Sequence, residues 1–182
     1  MRDGDDSIKG GVLITGATGF LGTKVTSLIL ERTEHSIIVL VRGRDLSDVK
    51  FRLERTWWDW PDMVCEIGGR IQVVNGDLCL SRFGLSDLSY EELVGKISHI
   101  IHLAADIRLN EPLAVLQRTN VEGVRNVLGL AYDVQSLHGL TRLSYVSTAY
   151  VAGGRKGIVT EDALTDQFGF SNHYELSKFE AN

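Results

Sequence analysis

Cysteine is scarce in this chain, with only Cys65 and Cys79 among 182 residues. The two form no Cys-x-x-Cys pair and have no histidine at metal-ligand spacing. A disulfide scaffold and a zinc site are therefore excluded, and two buried reduced thiols are expected. The five histidines, His35, His99, His102, His138 and His173, share no ligand spacing either. They are expected at packing or surface positions, with no metal ion, although His173 lies beside a residue of interest below. Positive charge is in deficit: 19 Lys and Arg stand against 24 Asp and Glu, a net charge of −5. That argues against a nucleic-acid partner and for solubility. No apolar run is long enough to span a bilayer, and no N-terminal signal pattern is present. These absences together predict a cytoplasmic protein without a membrane span. Internal repeats and low-complexity segments are also missing.

Glycine is plentiful, with 19 residues, and three of them organise the chain. Val12-Leu13-Ile14-Thr15 is an apolar, β-branched run that predicts a buried strand. Gly16, Gly19 and Gly22 follow at a three-residue spacing, and an apolar helical pattern runs from Phe20 to Arg32. Strand, glycine turn and helix in that order form the context of a dinucleotide fingerprint. Gly16 permits the tight turn, Gly19 lets backbone approach a pyrophosphate, and Gly22 lets helix pack on strand. Thr18, Phe20 and Leu21 share the turn, where helix N–H groups can face phosphate. A glycine-rich turn with no ligand is the alternative, since GxxGxxG is looser than GxGxxG.

The rest of the chain alternates strand and helix. A chain of this length makes one domain, or one domain and a fragment of another. Such a domain can bury roughly 70% of its unfolded surface. Residues 1–8 are polar and predict a mobile tail, and 9–182 form the domain. Phe20, Leu21, Val25, Leu28 and Ile29 mark the first helix's apolar face. Ser36–Val41 is the second strand. Asp45 or Ser47 can cap the next helix, along which Leu46, Val49, Leu53, Trp57 and Trp60 recur. Pro61 and Gly68-Gly69 bound a loop. Ile71–Asn75 is the third strand, Ser89–Lys96 a short helix, and His99–Leu103 the fourth strand. A long helix follows, with Asn110 as a possible cap and Pro112 in its first turn. Leu113, Leu116, Asn120, Val124, Val127 and Ala131 form its stripe. Leu143–Val146 is the fifth strand, and a last helix starts near Asn172. Continuous apolar strands alternating with helices predict a doubly wound, Rossmann-like parallel α/β sheet. Its ligands belong outside the carboxyl ends of the strands. The chain stops at Asn182 in mid-element, so a C-terminal portion is expected to be missing.

Two groups of residues carry chemistry. At the end of the second strand an NAD site wants an acid for the ribose, about twenty residues past the glycines. Here the segment is Leu40-Val41-Arg42-Gly43-Arg44. A guanidinium fork suits a phosphate, so Arg42 and Arg44 predict NADP(H), with a solvated basic turn as the alternative. Asp77 after the third strand can accept from an adenine amine or serve as a turn residue. Ala104 and Ala105 either leave room for the cofactor or simply pack. Tyr174 and Lys178 stand four residues apart, on one helix face. A nearby ammonium lowers a tyrosine pKa, and such a phenol can give a proton to a developing oxyanion. Thr148, at the end of the fifth strand, sits at the same edge. Trp57, Trp58 and Trp60 are expected to anchor a helix end, with an acyl-chain contact or an interface as the alternatives.

With the glycine turn, Ser147-Thr148-Ala149-Tyr150 and Tyr174-x-x-x-Lys178 in order, the chain resembles an extended short-chain dehydrogenase/reductase. Thr15–Gly22, Leu40-Val41-Arg42, Gly76-Asp77-Leu78, His102–Asp106, Val146–Val151 and the stretch Ala104–Pro112 are similar to fatty acyl-CoA reductases. They are also similar to thioester-reductase domains. The resemblance implies that Thr148 bonds the substrate carbonyl, Tyr174 donates the proton, and Lys178 holds the nicotinamide ribose. Asn120 supports Lys178 through a water or packs in its stripe, and Leu78 lies at the cofactor. Ser147 is structural. The implied partners are acyl-CoA or acyl carrier protein thioesters, reduced to aldehyde or alcohol, with the substrate-binding portion beyond residue 182. A nucleotide-sugar epimerase or dehydratase of the same superfamily, and a non-catalytic NADP(H) sensor, are the competing functions. The missing acid at position 42 weighs against the first, and the presence of Tyr174 and Lys178 against the second.

Overall fold

A computed structural model describes residues 10–161 and 164–182. The expected tail, residues 1–8, and Lys9 lie outside the described residues. Five strands form one sheet: β1 (Gly11–Thr15), β2 (Ile37–Val41), β3 (Ile71–Asn75), β4 (Ile97–His102) and β5 (Arg142–Tyr145). Their order is β3-β2-β1-β4-β5, with every neighbouring pair parallel. The helices are α1 (Phe20–Arg32), α2 (Leu46–Thr56), α3 (Pro61–Cys65), α4 (Asp87–Lys96), α5 (Leu113–Gln117), α6 (Gly123–Leu137) and α7 (His173–Glu180). A π-helical turn, Arg118–Glu122, joins α5 to α6, so the three together are the long helix expected after the fourth strand.

Side chains alternate across a strand, and the sheet buries both faces. Leu13, Ile38, Leu40 and Ile100 face a core built with Tyr90, Leu93, Val127, Leu130 and Val134 of α4 and α6. Val12, Ile14, Ile37, Val39 and Val41 face the other core, with Val49, Leu53, Trp57 and Met63. This is the doubly wound arrangement read from the sequence. The edge strands β3 and β5 are only partly buried.

Several local expectations change. The buried side of α1 is Gly22, Thr23, Thr26 and Ser27, not its apolar stripe. Phe20 is 91% exposed and Leu21 half exposed. The reason is close approach: a Cβ on Gly22 would lie 2.0 Å from the Gly16 carbonyl oxygen, so only small side chains fit between helix and turn. Helix α2 stops at Thr56, and Pro61 opens the short α3 inside the expected loop, since proline is tolerated in a first turn. Pro112, not Asn110, sits at the cap position of α5. Cys65 is exposed and Cys79 half-buried, because α3 turns the former outward. The expected fourth and fifth strands start two residues and one residue earlier, at Ile97 and Arg142. No helix among the described residues is long and apolar enough to cross a membrane.

Candidate active site

The turn between β1 and α1 separates three glycines by what each is for. Gly16 adopts φ +75°, and a Cβ there would meet the Ala104 backbone at 2.7 Å. Gly22 is needed for helix-on-turn packing, as above. Gly19 has ordinary extended backbone, φ −86° and ψ 169°, and a Cβ would meet only the Gly16 oxygen at 3.3 Å. The protein's own packing thus barely requires a glycine at 19. Gly19 instead lines a cavity of about 600 Å³, at the point where strand order reverses from β1 to β4. Helix α1 has no side-chain cap at its N-terminus. By contrast α2, α4 and α7 are capped by Asp45, Ser86 and Asn172. The amide donors at the start of α1 are therefore left for another partner.

The cavity gathers Gly16, Thr18, Gly19, Arg42, Asp77, Leu78, Ala104 and Ala105. It does not gather Phe20, Leu21, Gly22, Arg44, Asn120, Thr148, Tyr174 or Lys178. Phe20 and Leu21 point outward from the first turn of α1. The Arg44 guanidinium lies 3.5 Å from Asp48 on α2. Arg42 stands 3.6 Å from Asp77, its side chain 71% exposed. Burial works to raise the Asp77 pKa, but the Cys79 amide and Arg42 outweigh it and hold the carboxyl below its usual value. Asp45 is a helix cap, accepting from the Asp48 amide at 2.9 Å. Trp57 is fully buried at the end of α2, and its indole donates to the Ala17 carbonyl at 3.2 Å. It ties α2 to the glycine turn, which is the anchoring role expected of the tryptophan cluster, while Trp58 is exposed.

The second group lies at the carboxyl ends of β4 and β5. Asn172 and Glu175 cap α7 reciprocally: the Asn172 side chain accepts from the Glu175 amide at 3.0 Å and donates to its carboxylate at 3.1 Å. Tyr174 and Lys178 occupy successive turns of that helix. Lys178 is only 2% exposed. Its ammonium donates to the Tyr145 hydroxyl at 2.6 Å and to the Val146 carbonyl at 3.2 Å, and burial pushes its pKa down to about 8. The hydrogen-bond partner of Lys178 is thus Tyr145 rather than Tyr174. The Thr148 hydroxyl accepts from the Tyr150 amide at 3.3 Å. Thr148 lines a second cavity of about 640 Å³, with Val151, Val159 and Leu164 on its walls. Asn120 is buried and bonds Asp106 in both directions, at 2.8 and 2.9 Å, and Ser177 at 2.9 Å. It locks the loop after β4 to α7 and makes no direct bond to Lys178. Ser147 accepts from the Asn182 side chain at 2.8 Å.

The sequence profile of an NAD-binding family described as male sterility protein matches residues 14–182. The chain belongs to that family. The chain is an extended short-chain dehydrogenase/reductase that resembles thioester reductases. It is 37% identical over 165 residues to glycine betaine reductase ATRR of Emericella nidulans, covering 85% of this chain and 12% of that protein. Among solved structures it resembles the terminal R domain from the myxalamid PKS-NRPS biosynthetic pathway, with a TM-score of 0.83 and 29% identity. That match covers 94% of this chain and 43% of the other. A thiolation-reductase di-domain from an archaeal non-ribosomal peptide synthetase is similar at a TM-score of 0.75 and 26% identity, covering 94% and 37%. The chain thus spans less than half the length of these relatives.

Among the residues of the site that escaped the sequence reading, two matter most, Arg52 and Tyr145. Arg52 of α2 lines the first cavity and donates to the Arg42 carbonyl; it stands next to buried Leu53 in the helical pattern, so its placement near the β2 end was inferable. Tyr145 is the other. It shares a face with Leu143 by strand alternation and is the register partner of His102, a pairing that only the sheet order reveals.

Proposed function

We propose that this chain is the NADP(H)-binding and catalytic portion of an acyl-thioester reductase. The observation that carries the reading is the pairing of two places on one sheet edge. One is a glycine cradle whose Gly19 packing barely requires; the other is the carboxyl end of β5, where α7 carries Tyr174 and Lys178 and the segment after the strand carries Thr148. The cradle fits a dinucleotide. The uncapped start of α1 supplies amide donors for a pyrophosphate, and Ala104 and Ala105 keep its middle open. Asp77, on the wall of the same cavity, would accept from an adenine amine. Arg42, with Arg52 behind it and no carboxylate at the end of β2, favours a 2′-phosphate over a bare ribose. Arg44 would contribute only by leaving Asp48.

When bound, the nicotinamide supplies hydride. The chain's own residues handle oxygen and proton. Thr148 donates a hydrogen bond to the thioester carbonyl oxygen, and Tyr174 gives that oxygen a proton as negative charge develops there. Lys178 holds positive charge at the base of the same helix face. The tetrahedral product then expels the thiol and leaves an aldehyde, which a second round takes to an alcohol. Similarity to an R domain and to a thiolation-reductase di-domain supports a carrier-bound acyl group, with acyl-CoA the other thioester of the same chemistry. Arg42, in place of an acid, disfavours nucleotide-sugar epimerase or dehydratase chemistry.

The test is NADPH consumption by the full-length protein on a panel of acyl-CoA and carrier-bound thioesters, with thiol release followed in parallel. Coupled loss of NADPH and appearance of thiol is expected. Bound NADPH with no consumption on any thioester would move the assignment to sugar-nucleotide chemistry or to a sensor.

A further inference from the structure

Lys178 is a buried cation without an anion. Among the described residues no carboxylate lies within ion-pair distance of it, and its partners are a phenol and one backbone carbonyl. A buried charge needs hydrogen-bonding partners or it neutralises. Tyr145 supplies two contacts: the hydroxyl accepts at 2.6 Å, and the ring lies under the ammonium at 4.4 Å from its centroid.

That phenol is itself fixed by a polar row across the sheet. Thr15, His102 and Tyr145 are register partners at the carboxyl ends of β1, β4 and β5. The Tyr145 ring stacks on the His102 imidazole, with centroids 5.5 Å apart and planes 19° apart. His102 is buried and its Nδ1 lies 2.7 Å from the Thr15 hydroxyl. Thr15 also accepts from the Ala104 amide at 3.3 Å, so its hydroxyl links the imidazole to the cradle wall. The other ring nitrogen, Nε2, is buried and has no hydrogen-bond partner among the described residues. An orphaned polar atom in that position is costly, and plain core packing would not call for it. The row therefore runs from the cradle wall at Ala104 to the ammonium of α7.

We propose that Tyr145 is a positioning residue for Lys178, holding its ammonium at the ligand edge through a phenol that His102 and Thr15 lock in place. The inference rests on the assignment of Lys178 to the reaction proposed above. Among the described residues, His102 from β4 feels the Lys178 charge, and Tyr174 of α7 faces the Tyr145 phenol.

The test follows the ε-ammonium of Lys178 by heteronuclear NMR titration of the cofactor-free full-length protein, assigned with Lys178→Arg. Tyr145→Phe keeps the ring and removes only the acceptor. Loss of one charge-assisted hydrogen bond predicts a fall of about one unit in the Lys178 midpoint, with thermal stability close to wild type. Tyr145→Met, which removes the ring as well, should shift it further. Thr15→Val, which frees the imidazole, should shift it less in the same direction. Should Tyr145→Phe not fold, the Met and Thr15 variants carry the same measurement. An unchanged midpoint in Tyr145→Phe overturns the proposal. In turnover, Tyr145→Phe should lower kcat. A shifted midpoint in a protein that reduces no thioester would leave the positioning role standing and sink the reaction instead.

Discussion

Alanine placed at Gly19 and at Gly22 should produce opposite failures, although the two glycines stand three residues apart in one turn. At Gly22 the new methyl would sit 2.0 Å from the Gly16 oxygen and 2.7 Å from its carbonyl carbon. Those are backbone atoms, which cannot swing aside. Overpacking costs about 1–3 kcal/mol and sometimes more, and a backbone clash belongs at the upper end. For a domain of this size each kcal/mol is worth roughly 2–4 °C of melting temperature, so Gly22→Ala should melt at least about 6 °C lower. At Gly19 the backbone is already in a region any residue adopts, and the only contact is 3.3 Å. Stiffening the unfolded chain gains about 0.4–1 kcal/mol, and exchanging glycine for alanine at a cap position loses a comparable amount. Gly19→Ala should therefore melt within about 4 °C of wild type. Its methyl, however, would stand where a pyrophosphate must approach the amides of α1. Losing one charge-assisted hydrogen bond of about 1.5–3 kcal/mol weakens NADPH binding roughly 10- to 100-fold. Thermal melts and NADPH fluorescence titrations of the two variants decide the matter. A Gly22→Ala variant that melts like wild type, or a Gly19→Ala variant that binds NADPH like wild type, would refute the division of labour.

Arg42→Ala should weaken NADPH roughly 10- to 100-fold while leaving NADH unchanged, as read by parallel titrations; an equal loss for both cofactors would argue against the 2′-phosphate. Tyr174→Phe should lower thioester turnover without weakening NADPH, and wild-type turnover would remove Tyr174 from the chemistry. Trp57→Ala removes a fully buried indole and its hydrogen bond to the Ala17 carbonyl, so it should cost about 3–5 kcal/mol in chemical denaturation. The His102 pKa is pushed down to about 4, first by burial and then by the Lys178 charge. Its folded value thus lies below its unfolded 6.5, and the folded state binds fewer protons between the two. Stability should be intact above pH 6.5 and fall by roughly 3 kcal/mol as pH drops toward 4. Denaturation of wild type and His102→Gln at pH 7 and pH 4.5 checks this, with a flatter profile expected for the variant.

The sheet was legible because its central strands are apolar runs that can only be buried, and the glycine spacing fixed where the first turn had to fall. Helix α7 was legible from the Tyr174 and Lys178 spacing and a start near Asn172, which caps it in the fold. The side of α1 was not legible, because periodicity rewards apolar side chains and takes no account of a backbone approaching too closely to admit them. Arg44 and Arg42 looked equivalent in the sequence. Only the fold shows that Asp48, one helical turn on, engages the first, while the second hangs over the cavity. The row Thr15, His102 and Tyr145 comes from three strands spread over 130 positions of chain numbering, 145 minus 15. No local pattern connects them until the strand order is known.

Asn120 also decides how the domain comes apart. Helix α7 is held to the body by the Lys178 bonds to Tyr145 and Val146 and by the Asn120 bond to Ser177, across 57 positions of chain. The same side chain closes the loop at Asp106 from 14 positions away. Helix, loop and π-helical turn should therefore open and close as one cooperative unit, so that their amides share a common hydrogen-exchange rate. Tyr174 and Lys178 would then be either both in place or both released, and the segment that bears them would be among the last to be secured during folding, after the crossover from β4 has formed.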